Sequence, residues 1–499
     1  MTTLTSIKQS AIEDTGFSVG LTSAQATAIA EERGLVVYAT PANLPSVGVN
    51  EGSLALVKSN NSFYIFIDTS WQSIQLDHDW SLNVDELKIT ASDLLASDYF
   101  GWAAAISSDG NYVIVGAHYE DGGAGDPLSA SGAAYVFTRS GSTWTEQAIL
   151  RASDALADDW FGYSVSINSD GTYAIVGAMK EDGGSGGPTT DAGSAYVFTR
   201  SGSTWTEQAI LRASDAATYD YFGCDVAINS DGTYAIVGAY LDGGSADPKP
   251  DGGAAYVFTR SGSTWTEQAK LTSSDLEPFG WFGFSVSMNN DGSYVVIGAS
   301  QANTYTGAAY IFTRSGSTWT EQQILRPLET VTRDDKFGAS VAINGSGDVV
   351  VVGSDQAEDD DGTYSLSGTG FVYIFTRSGS TWKQEDRLES PAGGNSGGDS
   401  FGTSVAINNT GNVIAVGANF ADTGASNAGA IYAFNRSPSN TWTYSRELTA
   451  SDAATNDYLS GTERAVAISG DGKYIIGGAR VDDHNGILNT GSAYIFNVV

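Results

Sequence analysis

The sequence predicts an all-β protein: a seven-bladed β-propeller closed by a strand from before the first repeat, with a small module of one helix and a β-meander ahead of it. Three observations carry this. Phe-Gly recurs at Phe100, Phe161, Phe222, Phe282, Phe337 and Phe401, with Leu459-Ser460-Gly461 in the seventh place. Trp recurs in step at Trp144, Trp205, Trp265, Trp319, Trp382 and Trp442. The chain ends one strand short of a seventh full copy, and a strand of the missing type lies early, over residues 87–93. A fixed period of this size marks an array whose units bury their faces only against each other.

The second copy shows the plan. Residues 161–167 alternate in strand fashion, and Asn168-Ser169-Asp170-Gly171 is a hairpin turn of type I′. Residues 173–176 form a short apolar strand running into Gly177-Ala178. A glycine-rich acidic loop follows, then a third strand over 194–199, a turn at Arg200-Ser201-Gly202-Ser203, and a fourth strand over 205–211. Four antiparallel strands per copy make a propeller blade. The seventh copy stops after its third strand, residues 493–496. Leu87-Lys88-Ile89-Thr90-Ala91-Ser92-Asp93 matches Leu448-Thr449-Ala450-Ser451-Asp452, so it completes that blade and removes an open sheet edge. The Trp series is expected to be largely buried between blades.

Composition agrees. The 499 residues include 60 glycines and 11% aromatics, which suits short strands and tight turns. Only 24 Lys and Arg face 58 Asp and Glu, for a net charge of −34. Such a surface repels nucleic acid and anionic membrane, whose binding needs clustered bases. No stretch approaches the ~18 apolar residues of a membrane span. Cys224 is the sole cysteine, so no intrachain disulfide forms. The first twenty residues lack a basic segment followed by an apolar run, so no standard secretory signal is expected.

Phe-Gly, Asp-Gly before an apolar strand, and Gly-Ala (Gly116-Ala117, Gly177-Ala178, Gly238-Ala239, Gly298-Ala299, Gly417-Ala418) resemble the FG-GAP repeat family, over about residues 86–499. That family includes bacterial repeat proteins and the head of integrin α chains. The resemblance implies the propeller; it does not imply one function, because propellers host adhesins, enzymes and scaffolds alike. Integrin-like repeats often carry a calcium loop, Asp-x-Asp-x-Asp-Gly, between the first two strands. Here Asn168-Ser169-Asp170-Gly171 lacks the first carboxylate, so the family's metal site is not carried over. Gly141-Ser142-Thr143-Trp144 is similar to the end of a sialidase-type Asp box, but Arg139 and Phe137 stand where that motif needs Asp and Ser.

In an up-and-down blade the loops after strands two and four share one face. That face collects about half of the chain's carboxylates, with few bases among them. The other face carries Arg139, Arg200, Arg260, Arg314, Arg377 and Arg436. Two groups on the acidic face are candidate binding residues. Asp98, Asp159, Asp220, Asp335, Asp399 and Asp457 each lie two residues before the Phe-Gly position, with Gly280 in the fourth copy. They read either as acceptors of local backbone N–H groups or as a ring of cation ligands at the channel mouth. Glu358, Asp359, Asp360 and Asp361 read either as a solvated loop or as a weak calcium site, calcium being the one cofactor considered. Catalysis has little support: His78, His118 and His484 share no spacing, and no nucleophile elbow or Cys/His metal pattern occurs, so no enzyme is expected.

Residues 1–80 do not repeat and form a separate module from 81–499. A helix is expected over 23–33, then strands over 35–38, 52–58, 62–67 and 71–75. Residues 44–57, with Phe63-Tyr64-Ile65-Phe66 and Trp71, resemble a module in structural proteins of marine phages and large viruses. That resemblance implies a virion appendage or fibre protein. Residues 1–80 would contact other virion proteins, and the propeller would be displayed to a host receptor or glycan, with homo-oligomers compatible. The alternatives are a bacterial cell-surface or secreted FG-GAP adhesin and, third, a polysaccharide-acting propeller.

Overall fold

The computed structural model describes residues 85–498, apart from 94, 124–126, 185–188, 244–249, 276, 330–334, 357–367, 392–397, 424 and 485, and four short strands before them. The chain divides into two compact units, Met1–Val84 (with Val499) and Asp85–Val498. In the first unit Val36–Tyr38, Leu54–Val57, Ser62–Ile67 and Ser70–Ser73 form one sheet in chain order. The first pair is parallel and the others antiparallel. The expected helix over 23–33 lies outside the described residues.

The second unit is the seven-bladed propeller. Each blade is a four-stranded antiparallel sheet in the order 1-2-3-4; blade two is Phe161–Ile167, Tyr173–Ala178, Ser194–Ser201 and Thr204–Leu211. The last sheet takes Val466–Ile468, Tyr474–Ala479 and Ser492–Asn497 from the chain's end and Asp85–Ile89 from before blade one. Ala493 pairs with Ile89, Tyr494 with Lys88 and Phe496 with Glu86, so the ring closes on the expected strand. The helical turn Ala302–Tyr305 lies in the strand-two loop of blade four.

The hairpin turn differs from type I′. Gly171 takes φ +65°, but Asp170 does not take positive φ. The Asp170 carboxylate accepts the N–H and hydroxyl of Thr172 at 3.0 and 2.6 Å, and the Asn168 side chain accepts the N–H groups of Thr172 and Tyr173. These bonds hold Asp170 in the ordinary region and leave the left-handed step to glycine, in a four-residue loop, 169–172, closed by the bond from the Asn168 N–H to the Tyr173 oxygen. They also use the turn's oxygens and hold the Asp170 carboxyl below its usual range, against the cost of partial burial.

Phe-Gly and Gly-Ala have a common steric cause. A Cβ on Gly116, in strand two of blade one, would stand 1.9 Å from the carbonyl oxygen of Gly162 in blade two. Gly162 itself takes φ +90°, and a Cβ there would stand 2.3 Å from the Ala133 oxygen. Backbone therefore presses on backbone where neighbouring blades meet near the axis. Phe161 beside it is fully buried, 5.3 Å from the Tyr196 ring and 6.0 Å from Phe198. The core lies between blades: one cluster joins Ile114, Val136 and Leu150 of blade one to Phe161, Val176 and Phe198 of blade two.

At the outer strands three contacts repeat around the ring. Trp205 Nε1 donates to Gln147 Oε1 of the preceding blade at 3.0 Å, and Trp265, Trp319 and Trp382 do the same to Gln208, Gln268 and Gln322. Glu207 accepts the N–H and hydroxyl of Ser153, and Glu86 those of Ser451 across the closure. Arg200 lies 4.1 Å over the ring of Tyr112 of the preceding blade. Trp382 and Trp442 are buried; Trp144, Trp205, Trp265 and Trp319 are partly exposed.

Candidate functional site

The carboxylates two residues before Phe-Gly are buried: Asp98, Asp159, Asp220, Asp335, Asp399 and Asp457 are 2–7% exposed. Four of them turn back into their own loops. Asp98 accepts the N–H of Leu95, Asp159 that of Leu156, Asp220 that of Ala217 and Asp457 that of Ala454, at 2.5–2.7 Å. Among the described residues no group of three or more His, Cys, Asp or Glu side chains stands together to hold a metal ion. Glu358, Asp359, Asp360 and Asp361 lie outside the described residues.

Burial outweighs those N–H bonds. It pushes Asp98, Asp159 and Asp220 up to about 7, and Asp399 and Asp457 upward as well. Unfolded, these carboxyls titrate near ~4. The folded state therefore binds more protons between these values. This contribution to stability is complete below ~4 and is lost as pH rises through about 7. His118 acts in the opposite sense: burial holds its pKa well below the ordinary value, so stability falls as pH drops below ~6.5. One imidazole opposes several carboxyls, and above pH ~6.5 it does not act. We expect the melting temperature to rise by a few degrees from pH 8 to pH 6.5. Asp159→Asn with Asp220→Asn should raise it at pH 8 and flatten the profile; a melting temperature that rises with pH would contradict this.

The bases missing from the sequence account of this face are supplied by strand four. Arg151 bridges Asp93 and Glu120 at 3.0 and 2.6 Å, Arg212 bridges Asp154 and Glu181, Lys270 bridges Asp215 and Asp242, and Lys88 bridges Asp452 and Asp482. In each, the strand-three tyrosine (Tyr135, Tyr196, Tyr256, Tyr494) donates to one of the carboxylates. Much of the acidity is thus neutralised in place. The signal was present as a base next to the last apolar residue of strand four, but one partner lies in the strand-two loop of its own blade and the other in the loop that leaves the preceding blade.

The loops of this face carry aromatic side chains on unusual backbone. The residue before Phe-Gly has positive φ in all seven copies: Tyr99, Trp160, Tyr221, Trp281, Lys336, Ser400 and Tyr458, at 52–59°. Left-handed backbone costs a non-glycine residue about 1–2 kcal/mol, and here it brings the side chain to the channel mouth. Tyr219 and Phe279, at φ 68° and 61°, are 52% and 49% exposed. Of the ten exposed large apolar side chains among the described residues, nine lie in strand-two or strand-four loops; only Tyr444 does not. Five aromatic rings and His118 pack together over blades one and two, with Trp102–His118 at 4.1 Å and Tyr119–Trp160 at 5.3 Å. Lys180 Nζ stands 3.6 Å over the Trp160 ring. A second group joins Tyr221, Tyr240, Trp281 and Phe284 of blades three and four.

The axis is crossed by one side chain that sequence reading missed. Arg464, in the worn seventh copy, donates from Nη2 to the Phe284 carbonyl at 2.7 Å, and its Nε lies 3.4 Å from Asp225. Its guanidinium lies 5.3 Å over the rings of Tyr163 and Phe284. Blades two, three and four are reached from blade seven only across the channel. Seven positions separate Leu459 from Val466, where four separate Phe222 from Val226; the inserted residues carry the arginine inward.

The FG-GAP repeat matches residues 84–137, 144–198, 205–258, 265–312, 319–375, 382–434 and 442–496. Each match runs from strand four of one blade through strand three of the next, and none covers residues 44–71, so the expected likeness to a viral module found no support. A search of curated proteins found no match. Among solved structures, the hydrazine synthase of Kuenenia stuttgartiensis is similar over 78% of this chain and 94% of its own, with 11% identity and a TM-score of 0.48. That likeness carries no argument about activity.

Proposed function

The chain belongs to the FG-GAP repeat family, and from that premise we propose that it is a binding or adhesion propeller whose contact surface is the face of the strand-two and strand-four loops. The observation that carries this is the gathering of nine of ten exposed large apolar side chains on that face. Carried by the loops of one face and not divided between the two, these side chains favour an interaction surface there. An adhesin on a bacterial surface fits this face. So does a propeller displayed on a virion, though the viral reading rests on residues 44–71 alone.

The test is retention on an array of immobilised polysaccharides and purified surface proteins. The Tyr219→Asp/Phe279→Asp double variant should lose binding with its melting temperature unchanged. Thr143→Ala, on the opposite face, should keep it. Retention unaffected by the double variant would exclude this face.

A further inference from the structure

The blades are nearly copies where they hold each other and differ where they meet the axis. Strand four reads TWTEQAIL in blades one and two and TWTEQAKL in blade three. Strand three reads AAYVFTRS, SAYVFTRS and AAYVFTRS in the same blades. The position after Phe-Gly, by contrast, runs Trp102, Tyr163, Cys224, Phe284, Ala339 and Thr403, and Arg464 takes that place in blade seven. A ring needs only repeated contacts to close. A single ligand without seven-fold symmetry, seated on the axis, needs the symmetry broken there.

We infer that the channel mouth at blades seven, one and two is a saccharide site that holds one neutral sugar ring; this rests on the proposed binding face and names its ligand class. Tyr99, Tyr119 and Trp160 form a partly exposed aromatic rim, Tyr119 lying 5.3 Å from each of the other two ring centroids. Flat apolar rings that keep one side toward solvent suit the C–H face of a pyranose. Joined to this rim through Tyr163, which packs 6.0 Å from Trp160 and lies under the Arg464 guanidinium, are buried N–H groups that lack protein hydrogen bonds. The Arg464 side chain is 6% exposed, and its Nε and Nη1 make no protein hydrogen bond. Trp102 Nε1 is also buried and unpartnered, its ring 5.4 Å from the Tyr163 ring that Arg464 covers. Buried N–H groups call for acceptors, and sugar hydroxyls accept. Glu463, 3.5 Å from Arg464 Nη1, is the acceptor for a hydroxyl proton.

Charge decides for a neutral sugar. Asp225 and Glu463 both stand within 3.5 Å of Arg464, so its charge is already balanced and no anion is needed. An amino sugar would meet Lys180 and Arg480. Hydrogen bonds shared between a balanced Arg–carboxylate group and hydroxyls, with stacking above, suit an uncharged ring.

The test is an array of neutral, amino, sialylated and sulfated saccharides, followed by calorimetric titration of the full chain. At least one neutral saccharide should bind, with affinity that changes little between low and high salt. Tyr119→Ala should weaken it at least about fivefold, and Arg464→Lys should weaken it while the melting curve shows the variant folded. Binding of charged glycans alone, affinity that falls steeply with salt, or affinity untouched by Tyr119→Ala would overturn the site. Failure of every saccharide, while the Tyr219→Asp/Phe279→Asp variant still loses a protein ligand, would refute the sugar and leave the binding face standing.

Discussion

A chain shortened to begin at Asp93 is expected to lose most of its stability, whereas one shortened to begin at Leu76 keeps its propeller. The first lacks Asp85–Ile89, the fourth strand of the last blade. Ile89 is 5% exposed and packs with Ala104 and Val115 of blade one and Ile476 and Ile495 of blade seven. Burying such a side chain is worth about 1.5–3 kcal/mol. Lys88 would no longer bridge Asp452 and Asp482, and Glu86 would no longer hold Ser451. With the ladder to Ser492–Asn497 also gone, the loss is on the order of 5–10 kcal/mol, comparable to the stability of a whole domain. The bare edge of Ser492–Asn497 should also drive association. Melting and size-exclusion chromatography of both truncations check this; equal melting temperatures would show that the strand does not clasp the ring.

The second large effect is expected at Trp382. Its side chain is 2% exposed, its Nε1 donates to Gln322 at 2.9 Å, and its backbone exchanges two bonds with the Gln323 side chain. It packs in the cluster that joins blades four and five. Trp382→Ala should cost about 3–5 kcal/mol, since the surrounding strands cannot collapse into the space. Trp144→Ala, at a partly exposed copy of the same position, should cost less. Urea denaturation gives both values. Equal losses would mean that burial between blades does not set the effect.

Part of the candidate site was readable before the fold. The acidic face follows from strand order alone, because antiparallel strands send alternate loops to the same side. The position of Asp98 and its counterparts before Phe-Gly was also plain, and so was the chance that they cap their own loops. Their burial was not: each carboxyl is enclosed by neighbouring loops that come together only when blades stack. The pairing of Arg151 with Asp93 and Glu120 joins residues 58 and 31 positions apart. No local pattern states it.

What the sequence determined by itself is the repeated part: the number of blades, four strands in each, and the strand that closes the ring. These depend on local alternation, on turn residues and on a period that needs only counting. The tertiary structure decided the axis. Arg464, Asp225, Tyr163 and Phe284 come from four different blades and meet because a closed ring brings the start of each blade's first strand to the axis. The physical reason is that a blade's outer contacts are with its neighbours and repeat with the sequence. Contacts across a channel join blades far apart in the chain, and their partners exist only once the last strand has closed the circle.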